Sequence, residues 1–131
     1  MTLQRSGFTL IEMLIVVVVI GILAVIAIPR FNKAREKSFL SAVRSDLENM
    51  AISQAVYHSD NNVYADDPLN LDQSITTGVN ISINEFSGAG WAATVTHDGL
   101  PTESCGMFYG NASAANATPA VSAGAVYCTM N

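Results

Sequence analysis

Two cysteines and two histidines are the residues of this chain with the broadest chemistry. Cys105 and Cys128 lie 23 positions apart, and the nearest imidazole along the chain is His97. One histidine and two thiols do not complete the four-ligand shell of a structural zinc site, so the pair favours a disulfide over a metal centre. A disulfide indicates an oxidising compartment. Neither His58 nor His97 belongs to a nucleophile–base pattern, so we expect no enzymatic activity, no metal and no cofactor.

A further reactive group, the carboxylate of Glu12, lies within the most apolar part of the chain. Between Phe8 and Ile28 only Thr9 and Glu12 are polar. Twenty-one helical residues extend about 31 Å, enough for the hydrocarbon core of a bilayer. A secretory signal peptide has a shorter apolar run and a small-residue cleavage site, whereas Pro29 follows here. The sequence therefore predicts a membrane-spanning helix, in which an unpaired Glu12 would be costly.

The residues that open this span read Arg5-Ser6-Gly7-Phe8-Thr9-Leu10-Ile11-Glu12. This string, joined to a long apolar run, resembles the signal of type IV prepilins. In that family a dedicated membrane peptidase, the prepilin peptidase, removes a short charged leader after a glycine, and the new first residue is N-methylated. The resemblance covers about the first 30 residues. It implies that residues 1–7 are a leader, that cleavage falls between Gly7 and Phe8, and that Phe8 is methylated.

The same resemblance implies an assembly role for Glu12. In the family this acid is thought to neutralise the N-terminal amine of a neighbouring subunit, here that of Phe8, as the subunit enters a filament. Such a charge pair is strong in a low-dielectric helix bundle, where an unpaired carboxylate is penalised. The alternative is an acid that only complements the helix macrodipole.

Gly21 and Pro29 are helix-weakening residues within and just after the apolar run. The resemblance implies that residues 21–29 melt locally in the filament and give it flexibility. A simple kink is the open alternative, because membrane helices tolerate both residue types.

Beyond Pro29 the pattern becomes amphipathic, and it predicts a helix that continues from residue 30 to about Ser59, before the turn residues Asp60-Asn61-Asn62. Steps of three and four residues define one face, formed by Leu40, Val43, Leu47, Met50, Gln54 and Tyr57. The opposite face carries Lys37, Arg44, Asp46, Glu48 and Ser53. The predicted helix thus runs from Phe8 to Ser59, with residues 8–29 as the membrane and filament-core part. A coiled coil over 31–59 is disfavoured by the irregular charges.

Residues 60–131 predict a small β-rich globular domain. Val79–Ile83 and Trp91–Thr96 alternate with period two, and 105–109 and 125–130 are further candidate strands. The predicted fold class is α+β, with three or four antiparallel strands packed on the long helix, as in the pilin αβ-roll. The bridge between Cys105 and Cys128 would join the last two strands, as the resemblance also implies.

Charge is segregated along the chain. Every Lys and Arg lies at or before Arg44, whereas residues 45–131 hold nine carboxylates and no cation. Such an acidic surface repels phosphate backbones, so we expect no direct nucleic-acid binding by this domain. The four cations of residues 30–37 would place the C-terminus in the cytoplasm by the positive-inside rule. The cysteine pair and the family resemblance imply the opposite orientation, which we adopt.

These expectations combine into a structural subunit of a type IV pilus, and the resemblance favours a major pilin of the type IVa class. The resemblance implies a single-pass protein of the bacterial inner membrane, with its globular domain outside the cytoplasm. Pilus assembly machinery then polymerises it with other copies of itself into a surface filament for motility, adhesion or DNA uptake. The alternatives are a type II secretion pseudopilin, a minor pilin, and a single-span membrane-anchored binding domain that does not polymerise.

Overall fold

The computed structural model describes residues 7–130, so the predicted leader residues before Gly7 lie outside the described residues. One long helix, α1, spans Leu10–Asn61. It begins two residues later than predicted because Thr9 caps it, and it ends two residues later. Asn62 then adopts a positive φ of 57°, a left-handed conformation that commonly ends helices.

The chain divides into two compact units, one up to Arg35 and one from Glu36 onward. We call them the stem unit and the head unit. In the stem unit the large apolar side chains from Phe8 to Ile28 are exposed, with exposed fractions from 46% at Val16 to 87% at Leu10. Among the described residues, α1 is long and apolar enough to cross a membrane.

The head unit contains one four-stranded antiparallel sheet in the order β1-β2-β3-β4. The strands are β1 (Val79–Phe86), β2 (Gly90–His97), β3 (Leu100–Gly110) and β4 (Tyr127–Cys128). Each of the four predicted segments contributes to one of these strands. The α+β fold class is therefore confirmed.

The core of the head unit lies between its part of α1 and the sheet. The helix contributes Val43, Leu47 and Met50, and the central strand β2 contributes Trp91 and Val95, all buried. These helix residues belong to the face predicted from steps of three and four. Burial of large side chains such as these contributes about 1.5–3 kcal/mol each.

Two buried polar side chains fasten the segment between α1 and β1 to the helix. Gln54 is fully buried; its Nε2 donates to the Ala65 carbonyl at 3.0 Å, and its Oε1 accepts from the Ala65 N–H at 2.8 Å. Asp46 is only 4% exposed, and its carboxylate accepts from the Thr76 N–H at 2.8 Å and the Thr76 hydroxyl at 3.1 Å. Asp46 belongs to the helix face predicted to lie opposite the apolar one, yet it is buried because the segment before β1 folds over it.

The connection between β3 and β4 packs back on the sheet through a short 3-10 turn, Ala114–Ala117. A Cβ added at Gly106 would lie 1.8 Å from the Ala117 carbonyl oxygen, so this approach requires glycine. The Glu85 carboxylate accepts from the Ser113 N–H and from Asn116 Nδ2, each at 2.8 Å. These hydrogen bonds, that from Asn116 foremost, hold the pKa of Glu85 below its ordinary value.

Candidate assembly site

The described residues of the predicted processing site are exposed. Gly7 is exposed, and the Phe8 side chain is 72% exposed. Apart from its two chain neighbours, no described residue has an atom within 4 Å of a Cβ added at Gly7. Packing among the described residues therefore does not require glycine at this position, and cleavage after Gly7 stays a prediction.

Glu12 and Thr9 form a capping box at the start of α1. The Thr9 hydroxyl accepts from the Glu12 N–H at 3.3 Å, and the Glu12 carboxylate accepts from the Thr9 N–H at 3.4 Å. This reciprocal arrangement satisfies two N–H groups that otherwise lack partners at a helix start. The role of Thr9 was missed from the sequence, although Thr-Leu-Ile-Glu matches the known spacing of a capping box.

The capping box bears on the proposed chemistry of Glu12. Both hydrogen bonds are long for their type, and the site is exposed. A carboxylate offers about four lone-pair positions, so one bond to Thr9 leaves acceptor capacity for a second partner. The geometry thus allows a fixed carboxylate at the helix start to accept from an ammonium group as well.

Gly21 and Pro29 both lie inside α1, which is helical throughout Leu10–Asn61. A Cβ at Gly21 would meet nothing within 4 Å outside its own helical turn, so no packing in the subunit requires glycine there. Glycine costs about 1 kcal/mol relative to alanine in a helix interior. Local melting of this stretch stays a prediction.

Cys105 and Cys128 occupy directly paired positions of β3 and β4, with Cα atoms 4.0 Å apart and sulfur atoms at disulfide distance. Since β4 has only two residues, the bridge holds the chain end to the sheet. Arg44 donates from Nε to the Cys128 sulfur at 3.4 Å and connects this bridge to α1.

Comparison with known proteins places these features in a family. Residues 3–28 match the model described as the prokaryotic N-terminal methylation motif. The chain is 43% identical over 63 residues to the type IV major pilin protein PilA of Myxococcus xanthus, and 36% identical over 61 residues to the type II secretion system core protein G of Pseudomonas aeruginosa. These matches cover 48% and 47% of this chain but only 29% and 43% of the two relatives.

A longer match includes the head unit. The chain is 33% identical over 100 residues to the type IV wide pilus major component PilA4 of Thermus thermophilus, covering 73% of this chain and 76% of that protein. The similarity is therefore not confined to the apolar segment, which many membrane helices would match by composition. Together with the N-terminal motif and the α+β fold, it shows that this chain belongs to the type IV pilin family.

Proposed function

We propose that this chain is a structural subunit of a type IV pilus that polymerises through its N-terminal helix into a surface filament. The observation that carries the proposal is the exposure of the stem unit, whose large apolar side chains from Phe8 to Ile28 are all at least 46% exposed. Apolar surface of this extent is unfavourable in water. It requires a lipid bilayer before assembly and the helices of other copies afterwards.

Cleavage between Gly7 and Phe8 by prepilin peptidase would prepare the subunit for assembly. It removes the cation Arg5 and creates a positive amine on Phe8, which is then methylated. Glu12 of one copy pairs with the Phe8 amine of the next and so sets the register of the filament. The capping box supports this role, because it holds the carboxylate in a defined position at the start of the helix.

Gly21 and Pro29 provide the flexible part of the stem. Both weaken the helix, and no packing within the described subunit requires glycine at position 21. Loss of helix over residues 21–29 in the filament would let it stretch and bend.

The subunit is stored in the bacterial inner membrane with its head unit outside the cytoplasm, from which the assembly machinery extracts it. The cysteine pair at disulfide distance supports this orientation, because cytoplasmic thiols are kept reduced. The filament serves motility, adhesion or DNA uptake. Residues 45–131 carry no Lys or Arg, so this part of the chain does not itself capture DNA.

Purified surface filaments test the proposal directly. Mass spectrometry of their main protein should find a chain that begins with N-methylated Phe8; any other terminus contradicts the cleavage step. Glu12→Ala should abolish filaments while the protein still inserts into the membrane. Unchanged surface display of Glu12→Ala would instead support a membrane-anchored binding domain that does not polymerise.

A type II secretion pseudopilin is the second candidate, favoured by the similarity to core protein G of Pseudomonas aeruginosa. Deletion of the gene distinguishes the two. Loss of surface filaments with normal protein secretion supports a pilus subunit, whereas a secretion defect without loss of filaments supports a pseudopilin. The abundance of the chain in purified filaments separates a major from a minor pilin.

A further inference from the structure

One end of the head unit carries a groove that combines apolar and acidic groups. It encloses about 480 Å³, and we call it the acidic groove. Its apolar part includes Ile52 and Val56, which are 65% and 60% exposed, and its polar part includes Asp60 and Asp72, both exposed. Two large aliphatic side chains on the solvent side of a helix leave apolar surface that a partner could cover.

A second groove on the head unit has the opposite charge. It encloses about 370 Å³ and is lined by Lys37, Leu40, Ser41, Arg44 and Met130; we call it the basic groove. The Nε contact with the Cys128 sulfur orients the guanidinium of Arg44. An Arg side chain has five N–H donors, so four remain for other partners.

The two grooves lie far apart on the same helix. Lys37 and Asp60 are separated by 23 residues of α1, which corresponds to about 35 Å at 1.5 Å per residue. This distance is several Debye lengths at physiological salt, so one groove does not neutralise the other within a copy. The head unit therefore presents complementary charges at two separate places.

The net negative charge of the head unit affects how two copies can pack against each other. Residues 36–131 contain two cations, Lys37 and Arg44, and ten carboxylates. Contacts between copies that bring carboxylates together are unfavourable, because juxtaposed like charges cost several kcal/mol, whereas contacts that place these cations against carboxylates are favoured. Both cations line the basic groove.

We propose that the acidic groove of one copy binds the basic groove of a second copy in the filament. Lys37 and Arg44 of the second copy face Asp60 and Asp72 of the first, and apolar surface of each groove covers that of the other. The contact joins two different surfaces, so it is heterologous and can repeat without limit along a fibre. This inference rests on the proposed polymerisation and adds a specific contact between head units.

Zero-length cross-linking of purified filaments tests the contact. Lys33 and Lys37 are the only lysines in the sequence, so carbodiimide products are few and can be assigned by mass spectrometry. We expect a peptide joining Lys37 to Asp60 or Asp72. For Asp60 the helical separation of about 35 Å excludes a link within one copy. Cross-links from Lys37 only to carboxylates outside the acidic groove, or none at all, would overturn the proposal.

Charge reversal in the full-length protein provides the second test. Asp72→Lys and Lys37→Glu should each lower the amount of filament sheared from cells by about tenfold or more, since each replaces attraction by repulsion. The double variant should recover most of the wild-type amount. Glu48→Lys is the matched control, because Glu48 is exposed on the same helix and lines neither groove.

The outcomes separate this inference from the proposed function. If wild type and Glu48→Lys form no filaments, polymerisation itself fails and this inference fails with it. If Asp72→Lys forms filaments as well as wild type, the chain polymerises but the groove contact is wrong. A low yield of the double variant, equal to that of the single variants, would also contradict the contact. Equal amounts of each variant in the membrane fraction show that folding is not the cause.

Discussion

Replacing Glu12 by glutamine separates the two roles that this residue could have. Gln retains an oxygen that can accept from the Thr9 N–H, and Gln is a common partner in capping boxes. It lacks the negative charge that pairing with the Phe8 amine requires. Thr9→Ala is the complementary variant, because it removes the capping hydroxyl and leaves the negative charge of Glu12.

The expected magnitudes of the two substitutions differ. Loss of an N-cap hydroxyl costs about 1 kcal/mol, which lowers an equilibrium constant about fivefold. Removing one partner of a buried charge pair costs about 3–5 kcal/mol, or roughly a hundredfold or more. Glu12→Gln should therefore abolish filaments, whereas Thr9→Ala should reduce them only modestly.

The assay compares pilin in the sheared filament fraction with pilin in the membrane fraction for each variant. The mass of the membrane form shows whether the leader has been removed, so that a processing defect is not mistaken for an assembly defect. Glu12→Gln should enter the membrane as well as wild type, because it replaces a charge by a neutral group. Normal filaments from Glu12→Gln together with none from Thr9→Ala would refute charge pairing and leave Glu12 as a cap.

Three further predictions concern the head unit of detergent-solubilised protein. Replacing Cys105 and Cys128 together by serine should lower the free energy of unfolding by about 2–5 kcal/mol, measured by denaturant titration against wild type under oxidising conditions. An unchanged midpoint of the unfolding transition would contradict a disulfide that stabilises the fold. Gln54→Leu should lower the free energy of unfolding by about 1–3 kcal/mol, because it leaves the buried N–H and carbonyl of Ala65 without partners. A variant as thermally stable as wild type would show that water replaces the two lost hydrogen bonds. The pKa of Glu85 is lowered in the folded state, so its contribution to the free energy of unfolding is complete above the ordinary value of 4.5 and is lost as the pH falls through the folded pKa. The stability of Glu85→Gln should therefore fall less than that of wild type in this acidic window. Parallel curves of stability against pH for the two proteins would contradict the assignment.

Elements with a clear hydrophobic period could be predicted from the sequence. The buried face of α1 follows from Val43, Leu47 and Met50, and β1 and β2 follow from alternation. The burial of Asp46 could not be predicted, because its partner Thr76 lies 30 residues away and only the folded chain brings the two together. A helical pattern shows which residues share a face, but not which polar residue a later segment will cover.

The C-terminal strand shows a similar limit. The pattern predicted a strand over 125–130, whereas β4 contains only Tyr127–Cys128. Its ladder with β3 joins Cys105 to Cys128 and Gly106 to Tyr127. The preceding connection occupies space beside Gly106, where a Cβ would overlap the Ala117 carbonyl. Backbone hydrogen bonds from the Gly124 N–H to the Phe108 carbonyl and from the Thr129 N–H to the Ser104 carbonyl flank this ladder, so the segment follows β3 without regular strand pairing. A local pattern of alternation does not show where such pairing ends.

The packed residues lie in the head unit, whereas the residues without a packing role lie in the stem unit. Every member of the main core cluster lies in the head unit, from Val43 to Met107, and the disulfide lies there too. In the stem unit the apolar side chains are exposed, and Gly7 and Gly21 meet no atoms that would require glycine. A sequence that keeps costly exposed apolar residues and a helix-weakening glycine must gain from them outside the isolated subunit. Substitutions in the stem unit should therefore change membrane insertion or assembly while they leave the stability of the head unit unchanged.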